Sequence, residues 1–145
     1  MLHGNLIAQF FCFLTFTDKS LNSLDLSRTK LESVTARELL RVPKLYHLRL
    51  FDNNLGSGDF FSSPVTAKLI ASSDLRTLDL CGNNAKELNT LLSTLYACYK
   101  EDNGATIKLN VLELGGNNIM ESDEVWISKL KRCGLDIARD RPSQD

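Results

Sequence analysis

The chain has few of the residues that usually carry chemistry. Only four cysteines occur in 145 residues, Cys12, Cys81, Cys98 and Cys133. Their separations of 69, 17 and 35 fit neither a disulfide framework nor a metal-ligand pattern. Free thiols in a reducing, cytoplasmic setting are the expectation. Only two histidines are present, His3 and His47. Neither sign of charge dominates: 17 Lys+Arg stand against 18 Asp+Glu, a net −1. That balance removes the electrostatic case for nucleic acid or an anionic membrane as partner. No apolar run approaches the roughly 18 residues that a membrane span needs. Hydrophobic residues still make up 43% of the chain and charged residues 24%, so a core can form and wholesale disorder is excluded.

The longest apolar stretch is Leu6–Phe16, LIAQFFCFLTF. It has the length of a signal-peptide core. However, no Lys or Arg precedes it, Gln9 interrupts it, and no small-x-small cleavage pattern follows. Residues 1–20 are therefore read as an apolar segment or cap covering the first repeat, or as the remnant of a longer chain. A secretory signal is the lesser alternative.

Leucine and asparagine are abundant, with 26 and 11 copies. Much of this excess falls at fixed offsets. Four segments align on L-x-x-L-x-L-x-x-N-x-L: Leu21–Leu31, Leu45–Leu55, Leu75–Ala85 and Leu109–Ile119. The first three template positions are Leu in all twelve cases. The ninth position holds Asn53, Asn83 and Asn117, with Thr29 in the first segment. Alternation with period 2 predicts a short strand with one face buried. The Asn position predicts a buried turn, where one amide both donates to and accepts from backbone groups otherwise left without partners. Stacked, Asn53, Asn83 and Asn117 form a structural ladder. Thr29 serves it only in part.

Helices are expected between the strands. Ser33–Val42 contains Thr35-x-x-Glu38 at capping-box spacing. Ser63-Pro64 caps and opens Val65–Ala71. Lys86–Lys100 carries a stripe at Leu88, Leu91, Leu92, Leu95 and Tyr99. Ser122-Asp123-Glu124 opens Val125–Arg132, which ends at Gly134. Trp126 is assigned to the core or to end-capping of this last helix. Leu135-Asp136-Ile137 reads as a closing strand.

From Leu21 onward the pattern resembles leucine-rich repeat proteins, the ribonuclease-inhibitor-like, intracellular type more than the all-coil extracellular type. The resemblance implies an α/β right-handed solenoid, a horseshoe arc with parallel strands on its concave face and helices on its convex face. Residues 1–20 would be the N-terminal segment, 21–137 four repeats plus a C-terminal cap strand, and 138–145 a polar tail. It also implies protein–protein recognition as the class of function.

On that fold, template positions 3, 5 and 7 are expected to face outward in columns across the strands. Position 5 reads Asp25, Arg49, Asp79, Glu113, either a surface charge ladder or a recognition strip. Asp79 beside Glu113 sets like charges against each other, which a basic side chain from a partner could satisfy. Position 7 reads Ser27, Phe51, Cys81, Gly115. Phe51 is either an exposed anchor with Tyr46, His47 and Arg49 around it, or folds onto Phe60 and Phe61. Tyr46, His47, Arg49, Phe51, Asp25, Asp79 and Glu113 are the candidate partner-binding residues.

No catalytic constellation is found. G-x-S-x-G, H-E-x-x-H and C-x-x-C are absent, and Cys81 and His47 lie too far apart along the strands for a direct pair. Gly82, Gly115 and Gly116 lack a P-loop string and are turn glycines. The expectation is a non-enzymatic interaction module without cofactor or metal, whose partner is another protein. The alternatives are a recognition or adaptor subunit of a larger assembly, such as a ubiquitin-ligase substrate receptor or an innate-immune-type sensor, or a fragment of a longer repeat protein.

Overall fold

The computed structural model describes residues 21–101 and 103–139. The apolar segment within residues 1–20 and the tail from residue 140 lie outside the described residues. Among the described residues, five short strands form one open sheet: β1 (Ser23–Asp25), β2 (His47–Arg49), β3 (Thr77–Asp79), β4 (Val111–Glu113) and β5 (Asp136–Ala138). All neighbours pair in parallel, in the order β1-β2-β3-β4-β5. The register aligns Leu24, Leu48, Leu78, Leu112 and Ile137 on successive strands.

Four helices alternate with the strands: α1 (Ser33–Leu39), α2 (Pro64–Ser72), α3 (Asn89–Glu101) and α4 (Glu121–Arg132). Every crossover advances one strand in the same direction, so crossovers of one hand bring all the helices to one face of the sheet. In keeping with this, α2 packs on α3 and α3 on α4. A continuous core fills the space between the layers, with Leu48, Leu78 and Leu112 from the sheet and Ala36, Ile70, Leu95 and Leu130 from the helices. Each buried Leu or Ile there contributes about 1.5–3 kcal/mol.

Local chemistry sets the helix ends. The Ser63 hydroxyl accepts from the Val65 amide at 3.2 Å, and Pro64 stands at the first helical position. Asp123 accepts from the Met120 amide at 2.9 Å at the start of α4. Glu121, Asp123 and Glu124 lie in its first turn and Lys129, Lys131 and Arg132 in its last, matching the helix dipole. Gly134 leaves the helix at φ +100°. Three expected starts are corrected: α3 begins at Asn89 rather than Lys86, and α4 at Glu121 rather than Val125. Glu32, not Thr35, occupies the cap position of α1, and Thr35 is a buried residue inside the helix. Three backbone bonds from Leu40, Arg41 and Val42 to carbonyls three residues earlier close its end. Trp126 is half-buried, packed at 5.9 Å from Tyr96 of α3 beneath the Lys129 ammonium. No helix among the described residues is long and apolar enough to cross a membrane.

Candidate interaction face

Beyond each three-residue strand the backbone pairing continues. Leu26, Leu50, Leu80 and Leu114 donate to Arg49, Asp79, Glu113 and Ala138 of the next strand, at 2.8–3.0 Å. Arg28, Asp52 and Gly82 then donate to Phe51, Cys81 and Gly115 at 2.8–3.1 Å. At this eighth template position the chain turns through the left-handed region, with φ of +59° at Arg28, +56° at Asp52, +66° at Gly82 and +72° at Gly116. The space at Gly82 is also filled: a Cβ there would lie 2.9 Å from the Phe51 ring.

The turn residues that follow are bonded across the strands. Asn53 Oδ1 accepts from the amides of Thr29 at 3.1 Å and Leu31 at 2.9 Å. Asn83 Oδ1 accepts from Asn53 at 2.9 Å and Leu55 at 3.3 Å. Asn117 Oδ1 accepts from Asn83 at 3.1 Å and Ala85 at 3.0 Å. Each Nδ2 donates to carbonyls of its own turn and of the preceding one. For Asn83 these are Leu80 at 3.0 Å, Cys81 at 3.2 Å and Leu50 at 2.9 Å. Thr29 donates to the Leu26 carbonyl at 2.7 Å. A Thr hydroxyl has no second arm, so the first turn is held by Asn53 from the next.

The face of the sheet turned away from the core carries the third and fifth template positions. The register sets Ser23, His47, Thr77, Val111 and Asp136 in one row and Asp25, Arg49, Asp79, Glu113 and Ala138 in the other. Ser23, Asp25, His47, Arg49 and Asp136 are exposed; Tyr46, Thr77, Val111, Glu113 and Ala138 are half-buried. The Arg76 guanidinium lies 4.3 Å from the centre of the Tyr46 ring, and His47 Nδ1 is 2.8 Å from the Thr77 hydroxyl.

Three expected exposures do not hold. Phe51 is only 4% exposed. Its ring lies beside Gly82, with the Arg28 guanidinium 5.1 Å from its centre. Phe60 and Phe61 pack edge-to-face on each other instead. Cys81 is fully buried. The seventh side chains stay on the side of the fifth: Cys81 Sγ lies with the Asp79 and Glu113 carboxylates, and Phe51 lines one cleft with Asp25 and Arg49 while packing against Gly82. Asp79 is also buried, at 3% exposure. Its Oδ1 accepts from the Cys81 amide at 2.9 Å and its Oδ2 from Arg49 Nε at 3.2 Å. The same turn recurs in β1, where Asp25 Oδ1 accepts from the Ser27 amide at 2.9 Å. An Asp two residues before a strand-ending turn is the sequence signal for this bond.

Charge along the fifth-position row is compensated unevenly. Arg49 bridges Asp79 at 3.2 Å and Asp25 at 3.8 Å. The Ser27 turn bonds and Arg49 hold Asp25 below the ordinary carboxylate range against the opposing effect of burial. Glu113 moves the other way: burial, then the charge of Asp79, raise it, and Asp136 adds to the effect. Burial beside Asp79 also pushes the Cys81 thiol to about 12. Donor atoms of Asp79, Cys81 and Glu113 all lie within 4.8 Å of one another. At the other end, a cleft of about 410 Å³ is lined by Asp25, Ser27, Arg28, Arg49 and Phe51. Arg28 and Asp136 were not among the candidates. The marks that point to them are a cation one residue after a buried turn position and the register of the fifth strand.

Comparison with protein-family models and with curated proteins finds no match to this chain.

Proposed function

We propose that this chain is a short leucine-rich repeat stack of the ribonuclease-inhibitor-like type, acting as a non-enzymatic module that binds another protein on the open face of its sheet. One observation carries the reading: the helices lie on one side of the sheet, while the other side presents two registered, mainly polar rows in which Ser23, Asp25, His47, Arg49 and Asp136 are exposed. Leucines in register and asparagines bonded from turn to turn support the repeat assignment. Against catalysis stands the state of Cys81, a buried thiol pushed to about 12 and hence a poor nucleophile near neutral pH. Free thiols at Cys81, Cys98 and Cys133 are in keeping with a reducing compartment.

The test is affinity capture with paired variants. Ser23→Lys with Val111→Lys places bulk and charge on the open face. Ser62→Lys with Ser128→Lys changes exposed positions elsewhere by the same charge. Loss of the same partners in the first pair alone supports the reading. Equal recovery from both pairs refutes it.

A further inference from the structure

The two ends of the stack are closed unequally. At the C-terminal end α4 precedes the last strand, and Leu135 and Ile137 are buried. At the N-terminal end no helix precedes β1 among the described residues. Leu21, Leu24 and Leu26 are half-buried there, while Leu45, Leu48 and Leu50, the same template positions one repeat on, are at most 1% exposed. The side chains are identical, so the difference lies in what stands beside them. Farther along the first repeat Val34 of α1 is exposed, and a groove of about 810 Å³ runs past Leu31, Val34 and Leu55. An end repeat whose core positions stay partly open needs a cover.

We propose that this open end is the docking site of the chain's own segment Leu6–Phe16. Three features favour that occupant over a separate molecule. Nine of its eleven residues are apolar and none is charged, which suits a surface made of leucine flanks. It stops four residues short of Leu21, and the link Thr17-Asp18-Lys19-Ser20 lets it lie no more than about 18 Å away. A tether that short makes docking intramolecular, at an effective concentration on the order of millimolar that a second molecule has to outcompete. Its length also suits the surface. Eleven residues span about 16 Å as a helix and more as a strand, and the run from Leu21 to Leu26 is about 17 Å long. The three leucines pack against the core side of the sheet. The segment therefore leaves the polar rows free, and the proposal stands or falls apart from the interaction reading.

The first measurement uses the full chain with the photo-crosslinker benzoylphenylalanine in place of Phe10. Irradiation and peptide mass spectrometry are expected to join residue 10 to residues 21–34 of the same chain, in a product that runs as a monomer. The second is amide hydrogen exchange. Phe10→Asp with Leu14→Asp is expected to speed exchange at the Leu26 and Arg28 amides, which bond the first repeat to the second, by at least about tenfold. The Leu80 amide, bonded to Glu113, should change less than about twofold. Thr17→Asp with Ser20→Asp adds the same charge in the link and should change all three less than about twofold.

Crosslinks that join two chains overturn the proposal in favour of a second copy on the open end. Crosslinks scattered beyond the first repeat, or none, overturn it as well. So does equal exchange in the two double variants. A chain recovered from cells without residues 1–16 overturns it in favour of a cleaved leader. The crosslink decides the matter even where the double Asp variant fails to fold.

Discussion

Two rows of side chains cross the same strands four residues apart, and they differ in how much they need from outside. The asparagine row satisfies itself. Each Oδ1 of Asn53, Asn83 and Asn117 accepts two amides of the preceding turn, and each Nδ2 bonds carbonyls on both turns. The charged row is closed only as far as Arg49 reaches. Past Asp79 it holds one carboxylate, Glu113, without a matching cation among the described residues. One repeat template therefore makes both a seam and an open edge of charge. The difference is side-chain chemistry: an amide donates and accepts at once, whereas a carboxylate only accepts.

The sharpest break in that comparison is Asn83→Ala. It strands the buried amides of Asn53 and Leu55 and removes one of two donors from the carbonyls of Leu50, Leu80 and Cys81. At about 1–3 kcal/mol for each buried group left unpaired, and with partial relaxation, a loss of roughly 4 kcal/mol is expected. Thermal unfolding should show the melting temperature falling by more than about 10 °C. An effect under about 1 kcal/mol would mean that the seam does not hold the turns together.

Gly82→Ala comes next. It forces a left-handed backbone on alanine and sets a Cβ 2.9 Å from the Phe51 ring. A cost of about 2 kcal/mol is expected from urea unfolding. Unchanged stability would mean that the Phe51 ring yields freely. Thr29→Ala should cost about 1 kcal/mol in the same assay, because Thr29 gives the seam one bond to a carbonyl rather than a two-sided amide. A loss equal to that of Asn83→Ala would erase the distinction between the first turn and the later ones.

The smallest effect belongs to the charged row and has the opposite sign. The folded state holds the Glu113 proton more tightly than an unfolded chain does, so the carboxylate charge opposes folding as pH rises past the ordinary value of 4.5. Glu113→Gln removes that opposition. Its melting temperature should exceed that of the unsubstituted chain by about 1–2 °C at pH 7, with the difference vanishing below about pH 4. A variant less stable at pH 7 would show that the attraction of Arg49 for Glu113 outweighs burial and Asp79.

The leucines made the strand register legible in advance, because a period-2 core position admits no other placement once one face is buried. The asparagines marked their own turns for the same reason: a buried turn needs a group that both donates and accepts. Alternation gave the side on which Asp79 and Phe51 lie but not their depth, because Asp79 is bonded to the Cys81 amide and Arg49, and Phe51 packs against Gly82. The α1 start was misread at Thr35 because the capping-box pattern carries no information on burial, and Thr35 belongs to the core. Asp136 was visible as a residue of the last strand, but its row depends on a register set by Ile137 against Leu112.

The register leucines and Ile137 follow one another at intervals of 24, 30, 34 and 25 residues, yet the strands stay in step. All the difference in length is taken up in the crossovers. The outer layer can thus thicken or thin by a turn of helix without disturbing the pitch of the rows. A new crossover length would alter what the back of the molecule looks like while leaving the spacing of the rows on its front unmoved.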